Sequence, residues 1–160
     1  MWPGQIQGAR FSSDRVHRYW LWRTLGSGQR RIAFIGLNPS RANEVRSDPT
    51  VTRCMNFARR WGFGRFDMLN AFAFVSPYPR EMRSAVDPIG PENDYWLRHI
   101  TGLADFVVVA WGEQGTYRHR NQEVLALLEG VRLHHLGLTV EGHPRHPSRL
   151  PRDVEPREWP

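Results

Sequence analysis

Short runs of apolar residues alternate along the chain with segments whose apolar positions recur at helical spacing. Three runs are mainly apolar, at residues 31–37, 65–75 and 105–112, and this pattern is typical of strands that are buried on both faces of a sheet. A shorter run at 132–138 predicts a last strand. Polar and apolar residues alternate at 15–22 instead, which predicts an edge strand or one arm of a hairpin.

Three segments between these runs have the features of helices. In the first, Asp48 suits the N-cap, Pro49 suits the first helical position, and Gly62 can end the helix. The segments 90–104 and 116–130 continue the pattern, and the second is amphipathic and closed by a glycine. Each predicted helix therefore connects two predicted strands.

This alternation of strand and helix predicts an α/β fold. We expect a three-layer α/β/α sandwich with a mainly parallel central sheet of about four strands, because parallel strands are connected through helices that cover both faces. The chain of 160 residues is expected to form a single domain. It would have an N-terminal strand or hairpin extension at about 1–30 and a proline-rich C-terminal tail at about 142–160. Ligands of such sheets bind outside the carboxyl ends of the strands.

The composition adds a basic surface to this fold. The 22 Lys plus Arg residues exceed the 16 Asp plus Glu residues, which gives a net charge of +6, and every basic residue is Arg. Arg suits bidentate contacts with phosphate and stacking on bases, and such a surface would attract a polyanion. A GC-rich genome, which encodes Arg in place of Lys, would produce the same composition.

Other features of the composition exclude several classes of protein. The single cysteine, Cys54, excludes an internal disulfide and a cysteine-ligated zinc or iron–sulfur site. No apolar run approaches the roughly 20 residues of a membrane helix, and residues 1–10 lack the apolar segment of a signal peptide. We therefore expect a cytoplasmic protein without a membrane partner, and a monomer. No cofactor is expected. A metal site on four histidines is a weak alternative, because their spacing fits no familiar zinc pattern. These histidines are His134, His135, His143 and His146.

Four short motifs lie at or near the carboxyl ends of the predicted strands. They are G-L-N-P-S at 36–40, L-N at 69–70, V-V-V-A-W-G at 107–112 and H-P-S-R-L at 146–150. Each has an ordinary structural interpretation: an Asn can cap its own turn, and a Pro-Ser pair can form a plain loop. A buried Asn in a strand needs hydrogen-bond partners, which are either the backbone or a ligand.

The ordered set of four motifs resembles the uracil-DNA glycosylase superfamily over roughly residues 31–151. The Asn in G-L-N-P, where many members have Asp, is similar to the mismatch-specific thymine/uracil branch. The whole chain looks still closer to the domain of unknown function 1643 family of small bacterial proteins. It shares with that family the stretches FIGLNPS, DPTVTRC, DPIGPEND, AWG and GLTVEGHPRHP.

The superfamily resemblance implies roles for individual residues. Asn38 would orient the attacking water, Asn70 would read the pairing edge of the base, and His146 would donate a hydrogen bond to the base carbonyl. His143 competes with His146 because the dipeptide His-Pro occurs twice. The substrate pocket implied by the motifs also includes Gly36, Leu37, Pro39, Ser40 and Asp48, the last with helix capping as its alternative.

Residues at the C-terminal motif would contact nucleic acid. Arg145, Ser148 and Arg149 would meet phosphates, and Leu150 would fill the gap left by a flipped base, unless it is an ordinary buried leucine. Ser40 stands where uracil-only enzymes carry a bulky Tyr, so the pocket should admit a base larger than uracil.

These residues together predict a uracil-DNA-glycosylase-like fold and a monofunctional DNA glycosylase of base-excision repair. The enzyme would hydrolyse the N-glycosidic bond of a modified or mismatched base in double-stranded DNA with a flipped base, or in single-stranded DNA. The alternatives are a non-catalytic nucleic-acid-binding module and an N-glycosidase of free nucleosides or nucleotides. The base-stacking aromatic stays open among Phe57, Phe72 and Phe74, and Glu113 is a spare pocket carboxylate.

Overall fold

The computed structural model describes residues 6–160. Residues 1–5, which are part of the expected N-terminal extension and of the segment expected to lack a signal peptide, lie outside the described residues. The fold is mixed α/β, with one seven-stranded sheet in the order β1-β2-β4-β3-β5-β6-β7. The strands are β1 Gln7–Phe11, β2 Arg18–Thr24, β3 Arg31–Gly36, β4 Arg65–Asn70, β5 Phe106–Val109, β6 Leu133–His135 and β7 Arg157–Glu158.

The sheet is larger and less parallel than the sequence predicted. The four inner strands, β4, β3, β5 and β6, are parallel to one another. The other three neighbouring pairs are antiparallel, because β1 and β2 form a hairpin that joins β4, and β7 returns from the C-terminal tail to join β6. The interpretation of 15–22 as a hairpin arm is confirmed, but an edge position is wrong, since β2 pairs on both sides.

Four helices connect the strands: α1 Pro49–Arg60, α2 Pro79–Ser84, α3 Asn93–Leu103 and α4 Arg120–Leu127. The expected N-cap is confirmed, because the side chain of Asp48 accepts from Val51 N and proline occupies the first turn. A 3₁₀ segment at Glu113–His119 replaces the start of the predicted helix 116–130, since Arg118 and His119 have positive φ angles of 54° and 55°. None of the helices in the described part of the chain is long and apolar enough to cross a membrane.

Helices cover both faces of the sheet through two separate apolar clusters. On one face, α1 buries Val51, Cys54 and Phe57 against strand residues that include Phe34 and Phe66. On the other face, α3 and α4 bury leucine, isoleucine and valine side chains against Ile35, Leu69 and Val109. Full burial of such a side chain contributes roughly 1.5–3 kcal/mol to the free energy of unfolding. The packing on both faces therefore holds the inner strands in place.

Backbone hydrogen bonds hold the loops at the carboxyl edge of the inner strands. Ala71 N donates to Gly36 O at 2.8 Å, and this bond extends the pairing of β3 and β4 by one step. Gly112 N donates to Pro144 O at 2.9 Å, which fastens the end of β5 to the loop that follows β6. The loops that carry the G-L-N-P-S, A-W-G and H-P-S-R-L motifs therefore meet at one edge of the sheet.

Candidate functional site

A cleft of about 670 Å³ opens where these loops meet. Its walls come from the loop after β3, the first turn of α1, the loop before α2 with the first residue of that helix, the segment after β5, and the segment 139–150. The residues that line it are Leu37, Asn38, Ser40, Thr50, Ser76, Pro77, Pro79, Trp111, Gly112, Glu113, Gln114, Thr139, Arg145, His146, Ser148, Arg149 and Leu150. Asn38 and His146, both expected in a catalytic role, thus line the same cleft.

The carboxamide of Asn38 is held in one orientation. Its Nδ2 donates to three backbone carbonyl oxygens, those of Ser76 at 2.9 Å, Phe74 at 3.1 Å and Pro39 at 3.2 Å. Because a carbonyl oxygen can only accept, the nitrogen and the oxygen of the amide cannot exchange places. The oxygen Oδ1 accepts no hydrogen bond from the described part of the chain. Asn38 therefore offers the cleft a hydrogen-bond acceptor.

The ring of His146 is also held by hydrogen bonds, but it offers a donor where Asn38 offers an acceptor. Ser148 N donates to its Nδ1 at 3.2 Å, and the hydroxyl of Ser148 lies 2.9 Å from the same atom. A backbone N–H can only donate, so Nδ1 is unprotonated and the neutral ring carries its proton on Nε2. Burial lowers the pKa of His146 below its ordinary value of 6.5. Near neutral pH, His146 is therefore an uncharged donor.

The segment that presents His146 is braced by its own backbone. Thr139 N donates to His143 O at 2.8 Å, and Arg145 N donates to Gly137 O at 2.9 Å. Gly112 has a φ of 73°, and a Cβ at this position would lie 3.5 Å from the Cβ of His146. Glycine thus meets a conformational need of this turn. The competing residue His143 is not among the residues that line the cleft.

Of the other predicted residues of the G-L-N-P-S motif, two line the cleft and two are buried behind its wall. Leu37 and the half-buried Ser40 line the cleft, whereas Gly36 and Pro39 are buried behind it. A Cβ at Gly36 would lie 3.0 Å from Nδ2 of Asn70 and closer still to the side chain of Met68. The glycine therefore leaves the space that these two side chains of β4 occupy.

Asn70 is buried and does not line the cleft. Its Oδ1 accepts a hydrogen bond from Nη2 of Arg18 at 3.2 Å, and its backbone oxygen accepts from the side chain of Asn93 at 3.0 Å. Arg18 uses one of the two acceptor positions of this oxygen, and the expected role of Asn70 in reading a base stays a prediction. The amide belongs to a buried polar cluster beneath the cleft.

Asp48 does not line the cleft, and its expected contact with substrate stays a prediction. Its carboxylate accepts from Val51 N at 2.9 Å and from Arg41 N and Ala42 N at 3.1 Å each. These three backbone donors take up the two carboxylate oxygens, and the residue is only 7% exposed. Asp48 therefore caps α1 and closes the loop that precedes it.

The C-terminal motif is only partly exposed. Arg145, Ser148 and Arg149 are exposed at the rim of the cleft, and their contact with nucleic acid stays a prediction. Leu150 is 9% exposed and packs in the apolar cluster that contains Leu136. This burial favours the alternative of a core leucine, although Leu150 also lines the cleft, and the role of wedge stays a prediction.

Sequence reasoning missed much of the opposite wall. Ser76 lies in the S-P-Y-P stretch, and its hydroxyl donates a short hydrogen bond to Glu81 on α2. Trp111 is 1% exposed, and its indole nitrogen has no partner among the described residues. Among the described residues that line the cleft, Trp111 is the one Phe, Trp or Tyr, and none of the three candidate phenylalanines is among them. The A-W-G motif is the available signal for Trp111, but in the sequence it indicates a strand end and a family resemblance, and it assigns no role to the indole ring.

Charged and metal-binding groups are sparse in the cleft. Glu113 is the single carboxylate among the residues that line it. Within residues 6–160, no three His, Cys, Asp or Glu side chains gather as they would around a metal ion. Asn38 therefore gives the cleft an amide acceptor, His146 gives it an imidazole donor, and exposed arginines stand at its rim.

Comparison with known proteins yields one family. The sequence model of that family, described as "Protein of unknown function (DUF1643)", matches residues 18–148. Neither a curated protein nor a solved structure matches the chain. The matched range contains β2 to β6 and the cleft residues up to Ser148.

Proposed function

The chain belongs to the DUF1643 family of proteins of unknown function, and we propose that it is a monofunctional DNA glycosylase that removes a modified or mismatched base. The single observation that carries this proposal is the pair of fixed, opposite hydrogen-bonding groups in one cleft. Asn38 offers an acceptor and His146 an uncharged donor. Hydrolysis of an N-glycosidic bond needs both, one for the water and one for the departing base.

In this mechanism a water molecule bound to Oδ1 of Asn38 attacks C1′ of the sugar. The new C–O bond forms as the C–N bond breaks, and the electron pair of the C–N bond leaves with the base. The N–H at Nε2 of His146 donates to the base carbonyl on which this charge collects. The water proton passes to solvent, because an amide cannot take it up as a carboxylate can, and we expect slow turnover for that reason.

The size of the pocket limits which bases can enter it. Ser40 is half-buried and lines the cleft, and its small side chain leaves room where a bulky residue would exclude a 5-methyl group. We therefore propose that the substrate base is larger than uracil: thymine, a 5-modified pyrimidine or a damaged purine. The base would be flipped into the cleft, since its sugar carbon is out of reach inside a duplex.

We also propose a uracil-DNA-glycosylase-like fold. Support comes from the four parallel inner strands, and from the loops after β3 and β6 that carry Asn38 and His146 at the same edge of the sheet. The basic composition, with a net charge of +6, supports DNA as the partner.

The experiment is an incubation of the protein with oligonucleotides that carry a panel of modified and mismatched bases, followed by alkali to reveal abasic sites. The wild-type protein should release at least one base. His146→Ala should reduce release by on the order of 10²–10³-fold, as for loss of one preorganised donor. His143→Ala is the matched control, because it removes a histidine of the same segment that does not line the cleft.

Two results would replace the proposal with another function. If the protein binds DNA tightly but releases no base from a broad panel, it is a nucleic-acid-binding module. If it cleaves free nucleosides and leaves DNA intact, it is a small-molecule N-glycosidase. Equal activity of His146→Ala and His143→Ala would reject the donor role even if base release is found.

A further inference from the structure

A second, larger concavity of about 900 Å³ runs from the cleft along the exposed side of α1. Thr50, Ser148 and Arg149 line both the cleft and this groove, so the two are continuous. We call it the α1 groove. Ser148 and Arg149 belong to the H-P-S-R-L motif, and Asp48 was expected in the substrate pocket, but the sequence motifs and the proposed chemistry at Asn38 and His146 give no role to the rest of the groove.

The α1 groove is strongly basic. Four arginines line it, Arg53, Arg60, Arg149 and Arg152. The single acidic residue in its wall is Asp48, whose carboxylate accepts from three backbone N–H groups and is 7% exposed. Apart from Glu155, which lies outside the wall and pairs with Arg60, no exposed carboxylate of the described residues forms an ion pair with these arginines.

Most of this charge is available to a ligand. Arg53 donates from Nε to Pro147 O at 2.7 Å, which aims a half-buried guanidinium from α1 and leaves both terminal nitrogens without an acceptor in the described chain. Arg149 and Arg152 are exposed and have no hydrogen-bond partner there. Arg60 pairs with Glu155 at 3.0 Å, but both side chains are well exposed, and such a pair contributes little.

The geometry points to the α1 groove as the track for the sugar–phosphate backbone on one side of the flipped nucleotide. This inference rests on the proposed function for the position of that nucleotide in the cleft. A row of guanidinium groups suits phosphate oxygens, and the groove continues directly into the wall of the cleft. The α1 helix has 12 residues, so it spans about 18 Å, or about five steps of one DNA strand.

If the strand lies in a groove on one side of the cleft, the gain in binding affinity from a longer strand should depend on whether the extension is on the 5′ or the 3′ side. The probes are fluorescent oligonucleotides that carry a tetrahydrofuran abasic analogue, extended by two, five or eight nucleotides on its 5′ side or on its 3′ side. Extension to about five nucleotides on one side should strengthen binding, whereas extension on the other side should add much less. Equal gains on both sides would overturn the inference.

Charge-removing variants test the same point. Arg60→Ala/Arg152→Ala removes two groove arginines, and it should abolish the directional gain and weaken binding by on the order of tenfold at moderate salt. It should also reduce the negative slope of log affinity against log salt by about 1.4 for a single strand. Arg59→Ala/Arg98→Ala is the matched control, because both arginines are exposed, lie on helices and are outside the groove.

The outcomes separate this inference from the proposed function. If the wild type releases a base and the groove variant binds DNA as the control does, the groove inference is wrong and the function stands. If no base is released but the groove variant loses affinity and the control does not, the glycosylase is wrong and the groove still binds a nucleic-acid strand. If no oligonucleotide binds at low salt, the groove inference is wrong whatever the activity.

Discussion

Replacement of Asn38 by aspartate tests the orientation on which the proposed water site depends. The two protons on Nδ2 are shared among three carbonyl oxygens at 2.9–3.2 Å. A carboxylate is nearly the same shape but has no proton to give. Asn38→Asp would therefore set a negative oxygen against three carbonyl oxygens without a change in volume.

The expected cost follows from the bonds that are lost. A net contribution of about 1 kcal/mol per hydrogen bond gives a loss of about 2 kcal/mol for the two protons. Repulsion between the carboxylate and the carbonyl oxygens adds to this, so the free energy of unfolding at pH 8 should fall by about 3 kcal/mol. Asn38→Ala, which loses the bonds without the repulsion, should cost about 2 kcal/mol.

The aspartate variant should also become pH-dependent. Repulsion raises the pKa of the folded-state carboxyl above its unfolded value of about 3.9, so the folded state binds the proton more tightly. Stability should then fall as pH rises from about 4 through the raised pKa, and level off above it. Below that window the protonated carboxyl can donate one of the lost bonds.

Urea unfolding of wild type and variants at pH 4.5 and pH 8 measures these differences. Asn56→Asp is the matched control, because Asn56 is exposed on α1 and its Oδ1 accepts from Arg59 at 3.3 Å. It should change stability by no more than about 0.5 kcal/mol. The reasoning is refuted if Asn38→Asp is as stable as Asn56→Asp at pH 8, or gains stability relative to wild type as pH rises.

Three further predictions concern DNA and the base. Arg145→Ala/Arg149→Ala should lower the salt slope of duplex binding by about 1.8, and a slope unchanged from wild type would move the interface away from the rim. Ser40→Tyr should favour uracil over bulkier bases if any uracil is released, as competition between two labelled duplexes would show. Borohydride should trap no adduct during base release, because the chain has no lysine to form a Schiff base; a lysine-independent adduct on gels would point to the terminal amine.

The inner strands could be predicted because their signal is local. Continuous apolar runs mark β3 and β5, and both lie within the expected ranges. The alternation in β2 misled because Arg18 and Arg23 look like solvent-facing residues, yet both are buried. Arg23 donates to carbonyl oxygens in the loop before α1, about 20 residues away. Such partners are distant in the sequence, so a short sequence window does not reveal them.

The same limit explains which of the predicted site residues meet in one cleft. Asn38 and His146 stand in loops that follow inner strands, so topology alone brings them to one edge. Asn70 and Leu150 were placed by motif order, but their surroundings depend on distant packing: an arginine 52 positions away for Asn70, and an apolar cluster for Leu150. Trp111 was hidden because a buried aromatic at a strand end looks like core.

The pH dependence of base release follows from the proton on His146. Burial lowers its pKa below 6.5, so the ring is already neutral at pH 7 and release should show no inflection from this group between pH 6.5 and 8. Below the lowered pKa, a proton on Nδ1 would face the backbone N–H of Ser148, which now donates to that atom at 3.2 Å. That conflict should disturb the loop and reduce release as pH falls. Single-turnover release from pH 5 to 8, with the titration of His146 followed by NMR, checks this order of events. An inflection above pH 6.5 that disappears in His146→Ala would show that the donor is charged in the resting protein, and the neutral-donor mechanism would fail.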